Sequence, residues 1–183
     1  MKKHILLLFL SFTYLFSEAQ NNIIPAPVSY EHSNGMFMLD NQVSIDIRTS
    51  DAQVLQFVKN FQYFISKGSG FQIPIKGVAI PNRAEKAIIV KLNDSKDAEL
   101  GMEGYTVEVS DSSIIVSANE APGIFNGFQT LRQLLPAQFE NTSDGPMGMG
   151  MIMGCKIKDY PRFGWRGLMF DVSRHFFSVN DVK

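Results

Sequence analysis

Asp159-Tyr160-Pro161-Arg162-Phe163-Gly164-Trp165-Arg166-Gly167-Leu168-Met169-Phe170-Asp171-Val172-Ser173-Arg174-His175-Phe176-Phe177-Ser178 is the stretch that organises this 183-residue chain. Pro161 and Gly164 punctuate its entry, and Leu168 to Val172 is an apolar run of strand length. Asp171, Ser173, Arg174 and His175 then put polar side chains where that strand ends. The pattern predicts a strand that carries chemistry at its C-terminal end. Ser178 with Asp181 three residues on has the character of a capping box and predicts a helix start just beyond it.

Upstream of this stretch the composition is that of a folded protein. An apolar fraction of 45% and a charged fraction of 19% exclude a disordered charged tail. A formal net charge of -1 lacks the basic balance that binding a phosphate backbone requires, so nucleic acid is set aside as a partner. At the N-terminus, Lys2, Lys3 and His4 precede a mostly apolar run from Ile5 to Phe16, and Ser17-Glu18-Ala19 offers small residues where a signal peptidase reads. Residues 1–19 are therefore expected to be a signal peptide cleaved after Ala19. The run is shorter than the ~20 residues a membrane-spanning helix needs, so no stable membrane insertion is expected after cleavage. The expected location is outside the cytoplasm, periplasmic or extracellular. Cys155 is the single cysteine, which excludes an internal disulfide; in the apolar run Met149 to Ile157 it reads as a buried small hydrophobe.

Between these ends, residues 20–158 read as one α+β domain. Gly35 to Leu39 and Gln42 to Ile47, separated by Asp40-Asn41, predict a hairpin. From Asp51 to Ser66 the period changes: Val54, Val58, Phe61 and Ile65 share a helical face, and Gly68 and Gly70 supply a stop. Ile73 to Pro81 reads as an irregular connection, Ala87 to Leu92 as a strand, and Gly104–Val109 with Ile114–Ala118 as a second hairpin around Ser110 to Ser113. Pro122 opens a second helix with Ile124, Phe125, Phe128, Leu131 and Leu135 on its apolar face, and Gly123 and Gly127 permit close packing. Phe139 to Gly150 reads as a loop, and Ile152 to Lys158 as the last strand. The expected fold is a sheet of mainly antiparallel strands with two helices on one face. Met147, Met149, Met151 and Met153 raise a soft-metal reading, which is set aside because methionine commonly fills irregular gaps and no histidine spacing supports it. No metal and no cofactor are expected.

The residues Asp159-x-Pro161-Arg162-Phe163-x-Trp165-Arg166-Gly167-Leu168-Met169-x-Asp171-Val172-Ser173-Arg174-His175-Phe176 resemble the opening of the catalytic domain of glycoside hydrolase family 20, the β-N-acetylhexosaminidases. Gly104-Tyr105-Thr106-Val107, together with Gly123-Ile124-Phe125-Asn126-Gly127-Phe128-Gln129-Thr130-Leu131-x-Gln133-Leu134-Leu135, resembles the α+β domain that precedes the barrel in that family. The resemblance implies exo-hydrolysis of terminal β-linked N-acetylglucosamine or N-acetylgalactosamine, from glycans or chito-oligosaccharides, on a (β/α)8 barrel. It also implies a retaining, substrate-assisted mechanism: the substrate acetamido oxygen attacks the anomeric carbon, an aspartate orients that group, and the adjacent glutamate is acid and then base.

That Asp-Glu pair has no counterpart here, since the chain contains no Asp-Glu dipeptide, so no catalytic residue is assigned. Arg174 matches the family arginine that grips hydroxyls of the terminal sugar; a planar guanidinium can donate two parallel hydrogen bonds to adjacent hydroxyls. Asp171 is a candidate for holding Arg174, although their opposite strand parity lets both face a pocket only if alternation breaks at Ser173. His175 either lines the pocket or caps the following helix. Trp165 and Phe163, ahead of the strand, read as core. A complete barrel takes roughly 250 residues, so residues 159–183 are expected to hold only its beginning, and the chain alone is expected to be inactive. The alternative is a non-catalytic carbohydrate-binding or interaction domain with a residual barrel stub.

Overall fold

A computed structural model of the chain describes residues 23–77, 86–141, 145–174 and 176–182. The signal-peptide expectation, much of the Ile73 to Pro81 connection and His175 lie outside the described residues. In chain order the strands are β1 Ser29–Leu39, β2 Ser44–Ile47, β3 Ile75–Lys76, β4 Ala87–Leu92, β5 Tyr105–Val109, β6 Ser113–Ala118 and β7 Gly150–Asp159. The helices are α1 Ala52–Ser69, α2 Ala121–Leu134 and the short α3 Val179–Val182, with a 3-10 turn at Ala137–Phe139.

All seven strands join one sheet in the order β1-β7-β5-β6-β4-β2-β3. The β1-β7, β7-β5 and β5-β6 ladders are antiparallel and contain the longest strands, whereas β6-β4, β4-β2 and β2-β3 are parallel. The expected second hairpin is β5-β6, closed by the Ser110 to Ser113 turn in which Ser110 N–H donates to Ser113 O at 2.9 Å.

The first hairpin is corrected. Asp40-Asn41 does turn the chain, and Gln42 N–H donates to Asp40 Oδ1 at 2.9 Å. The turn leads away from β1, however, because β1 pairs with β7 while β2 lies between β4 and β3. The physical reason is burial: every residue of β2 is buried, which suits a covered parallel strand rather than an arm of a half-exposed hairpin. β1 also starts earlier than expected, at Ser29, because β7 offers it a partner along nearly its whole length.

Asp51 caps α1, accepting from the N–H groups of Gln53 and Val54 at 2.9 and 3.0 Å. Gly70 ends the helix at φ 77°, in the left-handed region glycine enters freely, and its N–H reaches Ser66 O. Gly68, expected to share in the stop, lies inside the helix against Phe139. Val54, Val58, Phe61 and Ile65 are buried, as their spacing predicts. α2 packs on β5 and β6 so closely that a Cβ at Gly123 would stand 2.7 Å from the Ala118 Cβ. The two helices meet through Phe61 and Phe128, whose rings stack at 4.4 Å with 3° between planes. Cys155 is a fully buried free thiol, its pKa pushed up by burial. Among the described residues no helix is long and apolar enough to cross a membrane.

Candidate functional site

β7 delivers the chain into the C-terminal segment through Asp159, and a polar cluster fixes that exit. The buried Tyr105 hydroxyl lies 2.5 Å from Thr130 Oγ1 and donates to Asp159 Oδ2 at 3.2 Å. Asp159 Oδ1 accepts from Val28 N–H at 3.2 Å. Gln133 on α2 grips Ile24 from both sides, accepting its N–H at 2.8 Å and donating to its carbonyl at 3.0 Å. Burial pushes the Tyr105 hydroxyl well above its ordinary pKa; Thr130 works against this, and the Asp159 carboxylate adds to it.

Around this cluster Ile23 to Ala26, α2 and the Tyr160 to Arg166 segment line an open cavity of about 520 Å³. Its two carboxylates are already engaged. Glu103 pairs with Arg166, and Asp159 accepts from Tyr105 and Val28. The cavity is thus a seam that seats the C-terminal segment, not a pair of carboxylates poised for acid-base work. Sequence reasoning missed this role for Gln133 and Tyr105. The signal was a polar face on α2, with Asn126, Gln129 and Gln133 opposite its apolar residues.

Beyond the seam, Leu168 to Val172 does not form a strand; it runs without regular structure and exposed, because among the described residues no neighbouring strand takes up its backbone hydrogen bonds. Trp165 and Phe163, expected in a core, are exposed for the same lack of neighbours, Trp165 to 87%. The chain does bend at Ser173-Arg174, so the strand alternation that would separate Asp171 from Arg174 is broken there. Arg174 Nε lies 3.4 Å from Asp171 Oδ2, with the arginine side chain 92% exposed. Asp171 Oδ1 accepts from Ser173 N–H at 2.9 Å and Ser173 Oγ at 2.6 Å, and these bonds hold its carboxyl below the usual range. Asp171 and Arg174 therefore stand side by side in an exposed segment. Ser178 N–H and Oγ both donate to Asp181 Oδ2, at 2.7 and 2.8 Å, which forms the carboxylate half of the predicted capping box, while Asp181 N–H goes to Ser178 O at 3.0 Å rather than to the hydroxyl. Among the described residues no group of three or more His, Cys, Asp or Glu could hold a metal ion.

A mixed sheet with two stacked helices packed on it defines an α+β domain. Residues 20–160 match the family model described as glycosyl hydrolase family 20, domain 2. A β-hexosaminidase of Porphyromonas gingivalis is 32% identical over 166 residues, which is 88% of this chain and 20% of that protein. The β-N-acetylhexosaminidase of Cellulomonas fimi is 36% identical over 52% of this chain and 18% of its own length. Among solved structures, the family 20 β-N-acetylhexosaminidase of Streptomyces coelicolor A3(2) superposes with a TM-score of 0.76 at 31% identity, covering 88% of this chain and 31% of that one. The Streptomyces plicatus enzyme, solved with Thio-NAglucal, gives 0.75 at 28% identity, covering 90% of this chain and 31% of that one. The chain belongs to glycoside hydrolase family 20. It spans about a fifth of the length of these curated relatives and about a third of these solved chains.

Proposed function

We propose that this chain is the N-terminal part of an exported, exo-acting β-N-acetylhexosaminidase that removes terminal β-linked N-acetylglucosamine or N-acetylgalactosamine from glycans or chito-oligosaccharides. The observation that carries the reading is the family 20 domain followed directly by the Asp171–Arg174 pair at a bend. In this reading Arg174 clamps two adjacent hydroxyls of the terminal sugar, and Asp171 limits the arginine's rotamers before substrate arrives. Hydrolysis proceeds with retention through attack by the substrate's own acetamido oxygen, so no protein nucleophile is required. An Asp-Glu pair further along the polypeptide orients that group and exchanges the proton. The 183 residues alone then bind part of the sugar and do not turn it over.

The test begins with the coding sequence past Lys183. The reading expects an in-frame Asp-Glu dipeptide, and release of 4-nitrophenol from 4-nitrophenyl N-acetyl-β-glucosaminide by the product of the whole frame but not by the 183-residue chain. Turnover by that shorter chain, or a frame without the pair, overturns it. N-terminal sequencing of exported protein should begin at Gln20.

A further inference from the structure

Four methionines on the sheet edge have no part in the hydrolase reading. The β1-β7 register places Met36 opposite Met153 and Met38 opposite Met151, in a two-by-two array. Their neighbours Phe37, Leu39 and Ile152 are buried in the core, so the array points to the other side of the sheet. Met36, Met151 and Met153 are 37%, 55% and 64% exposed, and Met38 is half-buried. They therefore do not fill gaps in a core, which is the ordinary use of methionine. Directly opposed residues have Cβ atoms about 4.5–5.5 Å apart, and alternate residues along a strand are spaced by roughly 6–7 Å. The centre of such an array lies about 4 Å from each Cβ, within reach of thioether sulfurs two bonds further out.

We propose that Met36, Met38, Met151 and Met153 form a binding site for a soft monovalent cation, Cu(I) or Ag(I). Thioethers select such ions, while calcium, magnesium and manganese require oxygen ligands that this array lacks. A cation is also favoured by its surroundings. The Asp111 carboxylate borders the array at the tip of the β5-β6 hairpin, where its Oδ1 accepts from Met36 N–H at 2.7 Å. Lys156, further along the exposed face, stands opposite Glu108. Two stronger ligands are kept away. Cys155 is fully buried among the core side chains, and His32 lies on the far side of the irregularity in β1, edge-on to the Tyr30 ring at 4.9 Å.

Because a thioether carries no proton to displace, the site should bind independently of pH between about 5 and 8, unlike a thiolate or imidazole site. The purified chain is titrated with Ag(I) by calorimetry and with Cu(I) against a chromophoric chelator. One equivalent should bind, and Met151→Leu/Met153→Leu or Met36→Leu/Met38→Leu should each weaken it about tenfold or more. Met102→Leu, exposed outside the array, and Cys155→Ala should leave the affinity unchanged. Leucine conserves volume at these open positions, and an unchanged urea midpoint verifies the fold. The proposal is overturned by no binding, by loss in Cys155→Ala instead, by affinity that falls steeply on acidification, or by metal-free self-association through this face in sedimentation.

Discussion

Deleting the Tyr105 hydroxyl tests whether the seam that seats the C-terminal segment is held as described. Tyr105→Phe leaves Thr130 Oγ1, which is buried, without its 2.5 Å partner and removes a donor from Asp159. A buried polar group left unsatisfied costs about 1–3 kcal/mol, so Tyr105→Phe should lower the unfolding free energy by that amount. Thr130→Val should cost less, since the Tyr105 hydroxyl keeps Asp159 as its acceptor. The double variant removes both polar partners and should cost less than the sum of the two, because what is lost singly is mostly the stranded partner. A second signature lies in pH. The folded-state pKa of Tyr105 is raised, so its contribution is fully present below the unfolded value of about 10 and is lost as pH rises towards the folded value. Between pH 10 and 11, where the unfolded tyrosine passes from half to mostly ionised, one such proton changes stability by about 1 kcal/mol. Tyr30 is also raised, chiefly by burial, and adds an alkaline loss that both proteins share. Urea unfolding monitored by far-ultraviolet circular dichroism at pH 8, 10 and 11 should show a wild-type decline that Tyr105→Phe reduces by about one proton's slope. Equal alkaline declines in the two proteins, or full additivity in the double variant, would refute the reasoning.

Asp51→Ala removes the acceptor for two N–H groups at the start of α1 and should lower stability by about 1 kcal/mol, or about 2–4 °C in a thermal melt. Gly123→Ala has no room, with the Ala118 methyl and the Gly104 carbonyl both in the way; it should cost more than the ~1–3 kcal/mol of a tolerated overpacking and reduce soluble yield. In the product of the whole reading frame, Arg174→Ala should cut kcat/KM about tenfold to a thousandfold, and Arg174→Lys should recover only part of it, since an ammonium cannot donate the paired bonds.

Where the determinants are local, the fold could be read from the sequence. Val54, Val58, Phe61 and Ile65 recur at helical spacing and are buried together, and the four-residue spacer at Ser110 to Ser113 closes the β5-β6 hairpin. The failures concern partners distant in sequence. Gly35 to Leu39 and Gln42 to Ile47 are neighbours along the chain with turn residues between them, yet β1 finds its partner in β7, with Leu39 opposite Gly150. Asp40 is drawn instead towards the start of β4, where Lys86 Nζ binds its carboxylate at 2.7 Å. No local pattern announces that pairing. The two-residue β3 is too short to carry a period at all.

At the site, residue chemistry was legible and orientation was not. Asp171 and Arg174 are three positions apart in the sequence, and the bend at Ser173-Arg174 is what brings their charged ends to 3.4 Å. The methionine run shows the same limit more sharply. Its alternation says that Met149, Met151 and Met153 share a side, without saying which side. Glycine decides that. The inward place at residue 150 is taken by the Phe139 ring, which would stand 2.9 Å from any Cβ there, and at residue 154 a Cβ would meet the Ser33 carbonyl oxygen at 2.7 Å. Only glycine fits at either position, so the side chains of β7 between them sort by what the sheet leaves open: Ile152 goes inward, and Met151 and Met153 face solvent. A run that resembles core packing in the sequence becomes an outward row of thioethers because Gly150 and Gly154 leave no room for a side chain and Ile152 takes the inward place between them.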